Sequence, residues 1–132
     1  MTTSDKVISN KESIWLDENS YARINPKNGA EFDEADVERH FGIYLKLGLD
    51  IKKRQPLLVD ATCDFEMTKG GRELSAKKAR EYFTVIAVIS NSFTTRLLIN
   101  FLNSFYSFGI PLKMFANEDD AMKWLKEKQH TL

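Results

Sequence analysis

The chain has one cysteine, two histidines, three prolines and six glycines in 132 residues, and no surplus of charge of either sign. A lone Cys63 excludes an internal disulfide and any site built from several thiolates. So little glycine and proline excludes a collagenous or low-complexity chain. Nineteen Lys and Arg against nineteen Asp and Glu argue against a general nucleic-acid binder or a protein held on anionic membranes, both of which carry a basic excess. The longest near-apolar run, 85–89, is far below the roughly 20 residues that span a bilayer, so membrane insertion is not expected. The opening MTTSDKVISN has no apolar core of a secretory signal, which gives a cytoplasmic protein as the expectation.

What is present is globular: 42% hydrophobic and 29% charged residues, with a length that suits one domain. Residues 1–11 show no period and read as a flexible N-terminal arm, followed by a single domain over 12–130. Two runs with period-two alternation, 13–18 and 20–25, flank the polar Asp17-Glu18-Asn19-Ser20 and predict a β-hairpin. Asp33 caps a first helix, with Asp36 in its first turn. Val37, Phe41, Tyr44, Leu45 and Gly48 form that helix's apolar face. Leu57-Leu58-Val59, closing at Asp60, reads as a buried parallel strand. Residues 61–74 read as an irregular loop around Gly70-Gly71, with Ser75 capping a second helix. A second buried strand at 85–89, a third helix at 92–108, a strand at 111–115 and a last helix capped by Asn117 complete the order. Strand–helix alternation after an N-terminal hairpin predicts an α/β fold, a mixed central sheet with packed helices joined by right-handed crossovers.

The order of elements, the strand ending at Asp60 and the closing stretch resemble the SpoIIAA-like branch of the STAS superfamily. The closing stretch carries Pro111, Phe115, Ala121, Trp124 and Leu125, a Pro-x-x-x-Phe strand, an acidic turn and Ala-x-x-Trp-Leu. The resemblance spans 13–128 and implies the SpoIIAA-like (STAS) fold and a non-enzymatic, bacterial interaction module; its matching residues are core and caps, which bear on fold more than on function. Antagonists of that family carry a phosphorylated Asp-Ser-Ser-Gly motif; counted on from Asp60 it falls on Thr68-Lys69-Gly70-Gly71, with Gly70 in the serine's place.

Candidate sites follow. Ser75, and more weakly Thr68, are phospho-acceptor or anion-binding candidates, with Arg72, Lys77 and Lys78 as surrounding cations; the bland alternative is a plain cap among solvated lysines. The 92–108 helix is apolar over more of its circumference than one sheet needs. Phe93, Leu97, Leu98, Phe101, Leu102, Phe105 and Tyr106 are therefore interface or apolar-ligand candidates, and Arg96 and Asn100 sit together on its narrow polar side. Asp60, with Asp64 and Glu66 behind it, is a strand-end candidate, and its plainer role is to cap a loop. Cys63 and His40 read as structural. The run 52–54 reads as a solvated connection, and Lys69-Gly70-Gly71-Arg72 lacks P-loop spacing. No nucleophile–base pair, metal constellation or cofactor loop can be assembled from spacing, so no enzyme, metal or cofactor is expected. Two readings stand: a module binding an unknown protein partner, with a homodimer through the 92–108 helix, or a carrier of an apolar, lipid-like molecule under that helix.

Overall fold

The computed structural model describes residues 5–90 and 109–131. A six-stranded sheet runs in the order β1 (Val7–Ile8), β2 (Glu12–Leu16), β3 (Ala22–Pro26), β5 (Gln55–Asp60), β7 (Phe83–Ile89), β8 (Leu112–Phe115). β1, β2 and β3 pair antiparallel, and the β3–β5, β5–β7 and β7–β8 ladders are parallel. The expected hairpin is β2–β3, with Ile14 opposite Ile24. Its turn is closed by Asp17, whose carboxylate accepts the backbone N–H of Asn19 and of Tyr21. Ser20 there takes a φ of +63°.

A second sheet was not legible in the sequence: β4 (Ala30–Phe32) and β6 (Phe65–Met67) pair in parallel. Each leads directly into a helix, α1 (Glu34–Lys46) and α2 (Lys69–Ala79), so the two helices start side by side and pack on each other. The stretch read as an arm holds β1, two residues paired to β2.

α1 begins where expected. Asp33 accepts the Asp36 N–H at 2.9 Å, and the Asp36 carboxylate returns to the Asp33 N–H at 3.0 Å, a reciprocal capping box. Its end departs from expectation. Gly48, read as part of the apolar face, has a φ of +104° and lies outside the helix; its N–H reaches the Leu45 carbonyl, and that of Leu49 reaches Tyr44. These two bonds close the last turn in the Schellman manner, which needs a residue free of the Cβ penalty at Gly48. Leu45 accordingly points to solvent, 56% exposed, and Leu49 takes the buried place.

The larger correction concerns α2. Residues 61–74 are not one loop: they contain β6 and the first half of α2, which starts at Lys69 rather than after Ser75. Thr68 is its N-cap, Oγ1 accepting the Gly71 N–H at 3.1 Å. Gly70-Gly71 lowers helix propensity, but packing decides here. A Cβ at Gly71 would stand 2.9 Å from the Phe32 carbonyl, so α2 approaches β4 as closely as it does because glycine is there.

Both faces of the main sheet are covered, which explains the continuous apolar runs of β5 and β7. Ile14, Ile24, Leu57, Ile86 and Val88 face α1 and α2. Leu58, Val85, Ala87 and Ile89 face the last helix, α3 (Glu118–Thr131), which buries Ala121 and Leu125 against them. Asn117 caps α3 as expected, its Oδ1 accepting the Asp120 N–H at 2.9 Å. Fully burying a side chain such as Leu125 contributes about 1.5–3 kcal/mol.

Candidate functional site

Residues 50–54 follow the α1 turn, held by an Asp50–Lys53 bridge and by the Lys52 N–H on Asp50 Oδ1. They lie beside the C-terminal half of α2, and Ile51, Arg54, Leu74, Lys77, Lys78, Arg80 and Glu81 line a groove of about 640 Å³ between them. Four cations thus stand against one carboxylate. Ile51 is 69% exposed, the most exposed of the large hydrophobic residues among those described. Arg54 donates to the Arg80 carbonyl at 3.3 Å, which ties the turn to the helix end. Lys78 shares its ammonium with Glu38 at 3.1 Å. A groove that combines several cations with an exposed aliphatic side chain can attract an acidic surface at long range and bury an apolar group at short range.

A second constellation is buried. Glu12 on β2, 1% exposed, receives both Arg39 nitrogens, at 2.6 and 3.1 Å, and hydrogen bonds with Ser9 and His40. Burial pushes its carboxyl upward, but the hydrogen bonds from Arg39, Ser9 and His40 outweigh it, and the net shift is down. His40 is lowered, burial outweighing the attraction of Glu12. Its ring meets Phe32 edge-on at 4.8 Å. Beside Arg39, Asp36 bonds Lys11 at 2.8 Å and is held well below the usual carboxylate range, since that bond and those within the capping box outweigh desolvation. Glu12 on β2 thus holds Arg39 and the Nε2 side of His40, both on α1, an arrangement that fastens β2 to α1.

The candidates chosen from sequence part company. Lys77 and Lys78 line the groove. Ser75 lies within α2, half-buried on the wall of an internal cavity, and is not at a helix N-terminus. Thr68 has its hydroxyl engaged as the cap, and Arg72 turns back to the Met67 carbonyl at 3.1 Å. Asp60 Oδ1 accepts the Thr62 N–H at 3.1 Å and its hydroxyl at 2.6 Å. The Cys63 thiol donates to the Pro26 carbonyl at 2.9 Å; burial, then Asp60 and Asp64, push its pKa up. Phe93, Leu97, Leu98, Phe101, Leu102, Phe105, Tyr106, Arg96 and Asn100 lie outside the described residues. Sequence reasoning missed Ile51, Arg54, Leu74 and Arg80. The run 52–54 is the available signal in the sequence, and it reads as a solvated connection because its partner cations lie some 25 positions on. Among the described residues no three of His, Cys, Asp or Glu are grouped to hold a metal ion. No helix among them is long and apolar enough to cross a membrane.

Among the curated proteins none matches this sequence. The fold is similar to the crystal structure of an uncharacterised DUF3478-family protein with a SpoIIAA-like fold from Shewanella loihica PV-4. The two share a TM-score of 0.62 and 18% identity over 95% of this chain and 98% of that one. The SpoIIAA-like fold expected from the sequence is therefore the fold observed. At this identity the likeness describes architecture and leaves activity to the site itself. Residues 15–129 match the DUF7793 model, described as a domain of unknown function, and the chain belongs to that family.

Proposed function

We propose that the protein is a non-enzymatic interaction module that takes an acidic, apolar-anchored segment of a partner protein into the groove between the 51–54 turn and α2. The observation that carries this reading is Ile51, exposed amid Arg54, Lys77, Lys78 and Arg80. Covering an exposed isoleucine is favourable by burial alone, and the four cations that line the same groove favour a covering surface that also brings negative charge. The absence of catalysis is part of the same reading, supported by buried Glu12, Asp17 and His40 each being matched by neighbouring protein groups.

The test uses three fluorescein-labelled peptides titrated against the full chain: one alternating glutamate pairs with leucine, its lysine counterpart, and a leucine-free glutamate peptide. The expected order is the glutamate–leucine peptide at least tenfold tighter than either control. Its affinity falls with salt, as exposed charge pairs are screened. Arg54→Glu with Arg80→Glu, or Ile51→Ser alone, removes the preference. Equal binding of all three peptides, or none, overturns the reading. Sedimentation of the same samples reports whether a second copy fills the groove instead.

A further inference from the structure

Between the main sheet and the α1–α2 pair lies a separate cavity of about 90 Å³. Its wall is mainly aliphatic and aromatic, with Ile24, Val37, Phe41, Leu57, Ile86 and Leu112 from four strands and α1. Three uncharged polar side chains belong to the same wall, His40 and Tyr44 from α1 and Ser75 from α2. Glu12, the carboxylate bonded to His40, is already matched by Arg39, and His40 is biased toward its neutral form by burial.

We infer that this cavity is a binding site for a small uncharged molecule, mainly apolar, that carries one hydroxyl-type group. The size follows from the volume, which equals about three waters of liquid and so admits roughly three to five non-hydrogen atoms. The class follows from the wall. The wall is overwhelmingly apolar, so water has few polar partners there. A charged ligand would lose its hydration with no counter-ion left free to receive it. A short alcohol places its tail among Ile24, Leu57 and Ile86 and pairs its hydroxyl with Ser75, His40 or Tyr44. Four lining side chains are half-buried: Val59, Phe65, Met67 and Ser75. Phe65 and Met67 stand on β6, three residues paired to β4, so the smaller of the two sheets borders the cavity where its wall is half-buried.

The experiment follows the methyl NMR signals of the full chain while xenon, 1-butanol and butyrate are added separately. Xenon and 1-butanol are expected to move the Ile24, Leu57 and Ile86 methyls saturably and leave Ile51 in place. Butyrate is expected to bind at least tenfold more weakly than 1-butanol. Ala79→Leu grows a side chain from a buried wall residue and should abolish both sets of shifts. Ala61→Val, on another part of the wall, serves if that variant fails to fold. Ser75→Ala should leave xenon binding intact and weaken 1-butanol several-fold unless His40 or Tyr44 takes the hydroxyl, in which case His40→Phe or Tyr44→Phe does so. Shifts that persist in both filled variants overturn the site. An absence of saturable shifts overturns it as well, and butyrate binding as tightly as 1-butanol overturns the ligand class.

Discussion

His40 Nε2 on α1 meets Glu12 Oε1 on β2, so two buried side chains 28 positions apart join a helix to a strand. An ionised carboxylate has no hydrogen to give, which assigns the ring hydrogen to Nε2 and makes His40 the donor.

That pairing gives stability a pH dependence of definite sign. The folded state resists protonating His40, whereas the unfolded chain takes up that proton below its ordinary value of 6.5. The unfolded state then holds more protons, and stability falls as the pH drops from 6.5 through the lowered folded value. Glu12, also lowered, contributes stability that is present above its ordinary value of 4.5 and lost on further acidification. Urea midpoints should therefore decline from pH 7.5 to 5.5. The decline should shrink in His40→Gln, which keeps a donor for Glu12, and persist in a His130→Gln control. An unchanged decline in His40→Gln would contradict the assignment.

Arg39→Ala should destabilise by about 1.5–3 kcal/mol, the range for a lost hydrogen bond to a charged group. A fully buried pair broken on one side costs about 3–5 kcal/mol. The smaller figure applies because the Arg39 side chain is 37% exposed and Ser9 and His40 still serve Glu12. Chemical unfolding of the two proteins at pH 7 decides it.

The placement of the α2 cap separates two alanine substitutions. Thr68→Ala removes the side chain that satisfies the Gly71 N–H and should cost about 1 kcal/mol. Ser75→Ala removes no cap, and alanine is the better helix former, so its stability should stay within about 0.5 kcal/mol of the parent. The reverse ranking in thermal or urea unfolding would return the helix start to Ser75.

Adjacent glycines should respond oppositely to what distance alone implies. A Cβ at Gly70 would lie 2.0 Å from Glu34 Oε1, yet that carboxylate ends a flexible, exposed side chain and can swing away. A Cβ at Gly71 would lie 2.9 Å from the Phe32 carbonyl, which is backbone. Gly71→Ala should cost about 1–3 kcal/mol. Gly70→Ala should be close to neutral, its strain offset by a propensity gain of about 1 kcal/mol. Denaturant midpoints that rank Gly70→Ala as the worse variant would refute this.

These positions also show what a reader of the sequence can and cannot see. The hairpin, the Asp33 capping box, the Asn117 cap and the buried strands rest on neighbours a few residues apart, and their signals are local. The start of α2 is not local: Gly70-Gly71 reads as a loop unless one knows that the Phe32 carbonyl arrives there. β4 and β6 are three residues each, too short to establish a period. The groove was half visible, in Lys77 and Lys78. Its other wall comes from residues that look like an ordinary connection until the fold sets Arg54 beside Arg80.

The position of β5 shapes how the chain reaches this structure. β2 and β3 are near neighbours, and such a hairpin closes in about 1–10 μs. Its β3 edge stays unpaired until residues 55–60 arrive, because β5 joins β3 in parallel, across the whole of β4 and α1. On a ribosome the hairpin therefore holds an unpaired strand edge while β4, α1 and β5 are synthesised. Residues Leu57 and Leu58, which cover opposite faces of the sheet at that junction, are where a truncation should set the rate of refolding more than the rate of unfolding.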